Sequence, residues 1–438
     1  MKPSEIAEVL PARELGAVSY QTVSASQLRI GSRLNFPIHD SQGILLLGQG
    51  QTVTVSFLRH LQSRSIVNIR VHASEVANVC AGSPQGTAKR VRDHREGVFC
   101  PVRNETTERL DDEVLKGDPA LPPQGEAFAR QLQRPGLVPY SGKLKDEVVE
   151  RRCAEVNQIG GMFTGLLEGR GLDVECLTSV TESVLSDLVR DPDLLASVGA
   201  NPFFNPYPDR HSLHFSMVAM LLGTALKLDR TSLEELSIGC LLHDSGMLKI
   251  ERSAFTTRKP LTADEFAEIT KHPIALFEMA KNIEGIPLRS ALVAYQVHER
   301  CNGTGYPRRQ TGAKIHFLSK IAAVADAYVG LVSPRPHRRA LMPYFAMVTM
   351  LQGVRQGLYD AGVVRALLDT LSLFPLGSYV RLSDGSIGRV IRPNPDAYTR
   401  PLLEVWSGDD LGATPAIVDL IDTEVEVASP LPSLKPAA

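Results

Sequence analysis

The chain has no apolar run long enough to cross a bilayer, no cysteine cluster and almost no net charge. Its longest apolar stretches, such as VAMLL and IAAVA, fall far short of the roughly 20 residues a spanning helix needs. The first residues, MKPSEIAEVLPARELG, carry acidic side chains and no apolar core of signal-peptide length. A cytoplasmic location without membrane contact is the expectation. Six cysteines (Cys80, Cys100, Cys153, Cys176, Cys240 and Cys301) stand far apart with no CxxC pair. That excludes a disulfide framework and a zinc knuckle and fits reduced thiols. Lys and Arg number 47 against 49 Asp and Glu, a formal net charge of −2. No basic field therefore marks the chain as a binder of nucleic acid or anionic lipid. With 43% hydrophobic and 22% charged residues, the composition is that of an ordinary globular protein. A length of 438 residues suggests about two or three domains.

Texture divides the chain into four parts. Residues 24–75 read as a small β-rich module. Leu34, Phe36 and Ile38 alternate with polar neighbours, Asp40 to Gly43 is turn chemistry, and Ile44–Leu47 is a short apolar run, together a hairpin. Ser56 is placed to cap a short helix carrying Phe57, Leu58 and Leu61, and Ile66–Val71 reads as another strand. From 76 to 145 the pattern dissolves among Pro84, Pro119, Pro122, Pro123, Pro135 and Pro139, the texture of a largely irregular linker with one short helix at most. Residues 146–372 read as helical: Val148, Val149, Val156, Ile159, Met162, Phe163 and Leu166 fall near a 3.6 period, and so do Val218, Leu221, Leu222, Ala225 and Leu228. From 374 to 428 short strands return, with Ser383-Asp384-Gly385 as a hairpin turn. The tail SPLPSLKPAA is expected to fray.

The chemistry lies in how the 11 histidines are placed. His214, the pair His243-Asp244, His272 before Pro273, and His298 before Glu299 stand in a suggestive order, and Asp326 follows inside the apolar helix IAAVADAYVGL. A carboxylate in an apolar helix is costly unless it is paired or bound to a metal. The same holds for a His-Asp pair directly after Cys240-Leu241-Leu242. Imidazole with carboxylate suits Fe, Mn, Zn, Co or Ni better than Ca. An Asp directly after a His can bridge two metals while the His binds one. Any one of these histidines alone is more often a hydrogen-bonded core residue, and Asp326 alone could be a buried structural acid. The ordered set is far harder to obtain by accident. His211, three residues before His214, shares its helix face and reads as a supporting or exposed residue.

These residues resemble the HD-GYP domain, a subgroup of the HD superfamily of metal-dependent phosphohydrolases. The likeness runs through LHFSMVA, LLHDSGMLKI, LTADEF with KHPIALFEMA, QVHERCNGTGYPRR and LSKIAAVADAYVGLVSPRPHRRAL, over 146–372. The resemblance implies an all-α bundle core flanked by small β-rich modules, holding divalent metal, usually iron or manganese, as one or two ions here. It also implies hydrolysis of the second messenger cyclic di-GMP by metal-activated water. Carried over, His214, His243, Asp244 and Asp326 match the ligands of the HD core, and His272 and His298 match ligands of the second metal. His243 and Asp244 are the catalytic pair. Gly303, Gly305, Tyr306 and Pro307 match the GYP loop, and Arg335 and Arg338 match basic positions that meet substrate phosphates.

The chain also departs from that family. Where the family usually reads His-His-Glu before the GYP loop, this chain reads Val297-His298-Glu299; its phosphate-contacting lysine is replaced by Met247, with Lys249 two residues on; a usual Asp is Asn302; and the Asp three residues after the helix ligand is Val329. The second metal site is therefore expected to be impaired. Three readings follow: a cyclic di-GMP phosphodiesterase of reduced activity in bacterial signalling, a degenerate effector that binds nucleotide or a signalling protein without turnover, and a phosphohydrolase of another nucleotide.

Overall fold

The computed structural model describes most of residues 20–79, and residues 104–116, 125–133, 141–200, 209–250, 262–279, 285–334, 340–394, 397–407 and 414–431. The chain divides into two compact units, 1–91 and 92–438.

In the first unit, β1 (Tyr20–Ser24), β2 (Ile38–Asp40), β3 (Leu45–Leu47) and β4 (Asn68–His72) form an antiparallel sheet in the order β1–β4–β2–β3. Ile38, Ile69 and Val71 bury one face against Leu28, Leu34, Val53 and Leu61. The expected hairpin is present as the β2–β3 pair; its turn residues 41–44 and the candidate cap Ser56 lie outside the described residues. Two expectations change. The sheet begins at Tyr20, ahead of residue 24, and β1 pairs with β4 along its whole length. Phe36 does not share the buried face of Leu34 and Ile38, because the strand starts only at Ile38. Its ring lies partly exposed and stacks on His72, centroids 3.8 Å apart.

The second unit opens with an element from the stretch expected to be linker. Helix α1 (Glu105–Lys116) is capped reciprocally by Asn104 and Thr107, whose backbone N–H groups donate to each other's side-chain oxygens at 2.9 Å. Its Leu110 and Val114, and Phe128 beyond it, bury into the helical core. It is the one short helix for which the linker texture left room, and such a helix gains its stability from docking rather than from propensity. The six prolines that suggested a linker lie outside the described residues.

The bundle then follows as α2 (Gly142–Leu167), α3 (Val174–Arg190), α4 (Pro192–Ala200), α5 (Asp209–Ala225), α6 (Arg230–Leu242), α7 (Ala263–Ile269), α8 (His272–Met279), α9 (Leu288–Gln296), α10 (Phe317–Val332), α11 (Pro343–Arg355) and α12 (Ala361–Leu371). Side chains of Ser141, Asp173, Asp229 and Asp360 cap α2, α3, α6 and α12, and Thr262 with Glu265 forms a full capping box on α7. Helix α5 is buried on all sides from His211 to Thr224, which makes it the central rod. Helices α6 and α10 flank it, and α9 lies on α6. The Ser237 hydroxyl locks three helices together, 2.9 Å from Ser216 of α5 and 2.8 Å from Thr181 of α3.

The chain ends in a five-stranded antiparallel sheet of β5 (Tyr379–Leu382), β6 (Ile387–Arg392), β7 (Leu402–Trp406), β8 (Ala416–Asp419) and β9 (Val427–Leu431), in the order β8–β7–β6–β5–β9. The Asp-Gly hairpin joins β5 to β6: Asp384 accepts from the Ser386 amide, and Gly385 takes a φ of +88°. Part of the tail expected to fray is ordered instead. Ser429 to Leu431 pair with β5, and Pro430 is tolerated because β9 is an edge strand. Val380, Leu382, Val390 and Leu403 join the helical core.

A buried clamp fastens this sheet. Arg392 on β6 makes a two-pronged pair with Asp191, at 2.8 and 3.0 Å, and reaches Asp193 at 2.9 Å. Replacing Arg392 by Met would leave Asp191 buried without its guanidinium, an expected loss of about 3 kcal/mol or more of unfolding free energy. A urea midpoint equal to that of the unaltered chain would remove the clamp from the account.

Candidate metal centre

Three helix ends and the body of a fourth helix converge on one buried point. Helix α6 ends at Leu242 and hands over to His243-Asp244; α8 begins with His272; α9 ends two residues before His298; and Asp326 stands two-thirds along α10. Gly246 lets α8 approach this closely, because a Cβ there would sit 2.0 Å from the His272 carbonyl oxygen.

The two carboxylates organise the group. Asp244 Oδ2 lies 3.3 Å from His243 Nε2 and 3.9 Å from His211 Nε2, while its Oδ1 lies 3.4 Å from His272 Nε2 and 3.9 Å from His298 Nε2. Asp326 Oδ1 is 3.1 Å from His211 Nε2 and 4.0 Å from His243 Nε2, and its Oδ2 is 3.6 Å from His298 Nδ1. The Nε2 atoms of His272 and His298 stand 3.0 Å apart. Two sets of donors result, His211–His243–Asp326 and His243–Asp244–His298, each compact enough for one ion.

The donor chemistry fits a cation. His243 Nδ1 donates to the Cys240 carbonyl at 2.9 Å, and His272 Nδ1 donates to the Ile269 carbonyl at 2.7 Å. A carbonyl can only accept, so each neutral ring turns an Nε2 lone pair inward, towards carboxylate oxygen. Lone pairs facing carboxylates repel unless a proton or a metal stands between them. His243 Nε2 is fully buried and makes no hydrogen bond, although Asp244 is beside it.

Charge follows the same logic. Burial works against a charge on His243, but the Asp244 and Asp326 carboxylates outweigh it and raise its pKa. Burial lowers that of His272, and burial with the neighbouring His272 holds His298 well below the usual imidazole range. Burial opposes the charges on Asp244 and Asp326, yet the imidazoles keep both carboxyls below the usual carboxylate range. His272 and His298 are thus held neutral beside ionised carboxylates, the state in which metal binds, whereas the carboxylates favour a proton on His243 that a cation would displace.

The sequence-derived set is thus brought together at His243, Asp244, His272, His298 and Asp326. It differs at α5. His211 contacts both carboxylates, whereas His214 belongs to neither donor set. Burial, with Arg210 and His211 nearby, lowers the His214 pKa to about 3, so it stays neutral. The two positions are three residues apart, and only the rotation of α5 about its axis decides which faces the carboxylates.

The loop after His298 lies against this centre. The Tyr306 ring stacks on His298, centroids 4.8 Å apart, with Phe266 edge-on to it at 6.1 Å. Gly305 is required by packing, since a Cβ would come within 2.4 Å of the Arg300 amide and Glu299 Cα. Glu299 clamps the loop, accepting from the amides of Arg308 at 2.7 Å and Gln310 at 2.9 Å. Asn302 also works inside the loop, accepting from Thr304 and donating to the Gln356 carbonyl. Arg335 and Arg338 lie outside the described residues. Val297 and Val329 are fully buried in the helical core, Met247 is buried, and Lys249 pairs with Glu278 at 3.7 Å at the surface. Among the described residues, no helix is long and apolar enough to cross a membrane.

Within this helical bundle and its buried His-Asp cluster, residues 194–363 match the HD domain. The loop carrying Gly305-Tyr306-Pro307 lies within that matched segment. The chain is 25% identical over 245 residues to "Cyclic di-GMP phosphodiesterase PA4108" of Pseudomonas aeruginosa, covering 56% of this chain and 59% of that protein. It is 32% identical over 154 residues to "Cyclic di-GMP phosphodiesterase response regulator RpfG" of Xanthomonas campestris, covering 35% and 40%. It is 26% identical over 183 residues to "3'3'-cGAMP-specific phosphodiesterase 3" of Vibrio cholerae, covering 42% and 39%. The chain thus spans about half the length of these curated relatives.

Elemental analysis of anaerobically purified variants tests the ligand assignment. Asp244→Ala and His211→Ala are expected to lose bound metal, and His214→Ala to keep it while remaining folded by circular dichroism. Metal retained in His211→Ala but lost in a folded His214→Ala would reverse the assignment on α5.

Proposed function

We propose that this protein is a metal-dependent phosphodiesterase that hydrolyses cyclic di-GMP in a bacterial cytoplasm. The observation that carries the reading is the two-sided arrangement of Asp244, one oxygen among His211 and His243 and the other beside His272 and His298. One ion would be held by His211, His243 and Asp326, and a second by His272 and His298, with Asp244 reaching both. Nitrogen with carboxylate oxygen suits iron or manganese. Bound there, the metal would polarise the phosphate and lower the pKa of a water at neutral pH. The chain's own residues do the rest. Asp244 and Asp326 supply the negative charge that retains the cations. The carbonyls of Cys240 and Ile269 fix which imidazole nitrogen is free to bind. Tyr306, held by Gly305 and Pro307, walls the centre beside His298 and stays a candidate for substrate contact. Arg335 and Arg338 remain candidates for the phosphates, as guanidinium suits paired contacts to phosphate oxygens.

A second reading, ligand binding without turnover, is favoured by Met247 and Val297. Both are buried apolar side chains where the family has a lysine and a histidine. Val297 packs in the helical core, so Val297→His is expected to cost about 1–3 kcal/mol of stability. Met247→Lys is the better restoring change: a charge-assisted phosphate contact of roughly 1.5–3 kcal/mol would tighten nucleotide binding about tenfold or more.

The deciding experiment joins metal analysis to a hydrolysis assay on cyclic di-GMP, 3'3'-cGAMP and linear dinucleotides. Bound metal with turnover of cyclic di-GMP is the expected result. Metal and nucleotide bound without turnover would establish the effector reading, and turnover of 3'3'-cGAMP alone would move the substrate. A folded protein that binds no Fe or Mn would overturn the proposal.

A further inference from the structure

The loop that carries Tyr306 is held from a distant part of the chain. Asp111 on α1 accepts from the Tyr295 hydroxyl at 2.9 Å through Oδ1, and from Arg308 Nε at 3.2 Å through Oδ2. The partners lie 184 and 197 residues away in sequence, and α1 lies outside the segment 194–363 that matches the HD domain. The contact is well shielded, with 5% of the Arg308 side chain and 18% of that of Asp111 exposed. The Arg308 guanidinium also lies over the Tyr295 ring, 5.9 Å from its centre. Burial, with Asp111 beside it, raises the Tyr295 pKa, so the hydroxyl remains a donor.

This triad is connected to the metal centre by short steps. Arg308 follows Pro307, and its amide donates to the Glu299 carboxylate. Glu299 follows His298 directly, and the Tyr306 amide donates to the His298 carbonyl at 3.2 Å. The Tyr306 ring returns to stack on the His298 imidazole. Tyr295 sits on α9, the helix that delivers His298. One carboxylate therefore fastens both ends of the segment that presents His298 and Tyr306. Helix α1 can hold it in place because Leu110 and Val114, on either side of Asp111, are anchored in the core.

We propose that Asp111 is a positioning residue of the centre: through Arg308 and Tyr295 it sets the loop that places Tyr306 against His298. Its consequence for turnover rests on the phosphodiesterase reading; its effect on the loop does not. The full-length chain is compared with Asp111→Asn, Arg308→Gln, their double variant and Tyr295→Phe. Hydrogen exchange of the amides at 300–310 is followed beside that of α5 and α10. Asp111→Asn is expected to speed exchange in the loop about tenfold and leave the two core helices unchanged. The double variant is expected to fall short of the sum of the two single effects, because both substitutions remove the same Asp111–Arg308 contact. Tyr295→Phe is expected to give a smaller increase in the same amides. If the unaltered chain hydrolyses cyclic di-GMP, Asp111→Asn should lower kcat and leave KM unchanged. Loop exchange equal to that of the unaltered chain, an equal rise in α5 and α10, or additive effects of the two substitutions would each overturn the proposal. A chain without turnover but with selective loop exchange would leave it standing and count against the phosphodiesterase reading alone.

Discussion

Two buried carboxylates inside an apolar bundle set the terms for the rest of this structure. Asp244 and Asp326 are each in contact with several imidazoles, and neither could remain ionised in such surroundings without them. Four helices are brought end-on to one point to supply that compensation. The central rod α5 contributes His211, and the ends of α6, α8 and α9 contribute the others. Backbone carbonyls complete the arrangement by turning the rings of His243 and His272 inward. The centre is thus negative at its carboxylates and open at its imidazole lone pairs, which is what a divalent cation requires.

Precision of that kind needs support from further out. Gly246 brings α8 to within backbone contact of the turn after Asp244, and Gly305 folds the following loop back onto Glu299. Hydroxyls of Thr181, Ser216 and Ser237 hold the register of three helices where an all-aliphatic seam could slide. The C-terminal sheet is tied to the bundle by Arg392, and α1 is tied to the Tyr306 loop by Asp111. Parts of the chain outside the HD segment thus help to hold the HD centre in shape.

Much of this was legible in the residues. The helical texture from 146 to 372, the Asp-Gly hairpin near the C-terminus and the hairpin of the first unit all follow from local patterns that the structure bears out. The pair His243-Asp244 stood out because a carboxylate after an apolar helix is costly, and the same reasoning found Asp326. The choice between His211 and His214 was not legible. Both point to roughly the same side of α5, and the rotation that separates them is set by α6 and α10. Asp111 carried no signal either: it is one acid among several on a polar helix, with partners nearly two hundred residues away.

The sequence by itself therefore determined the fold class and picked out most of the His and Asp side chains that meet in the buried cluster, because these depend on periodicity and on the cost of placing charge beside apolar neighbours. The tertiary structure alone decided which histidine of α5 joins the centre, how Asp244 divides its oxygens between two sets of imidazoles, and which distant carboxylate holds the Tyr306 loop. Those are matters of helix rotation and of contacts between residues far apart along the chain. Local pattern reports which residues resist burial, and only packing determines what each of them meets once buried.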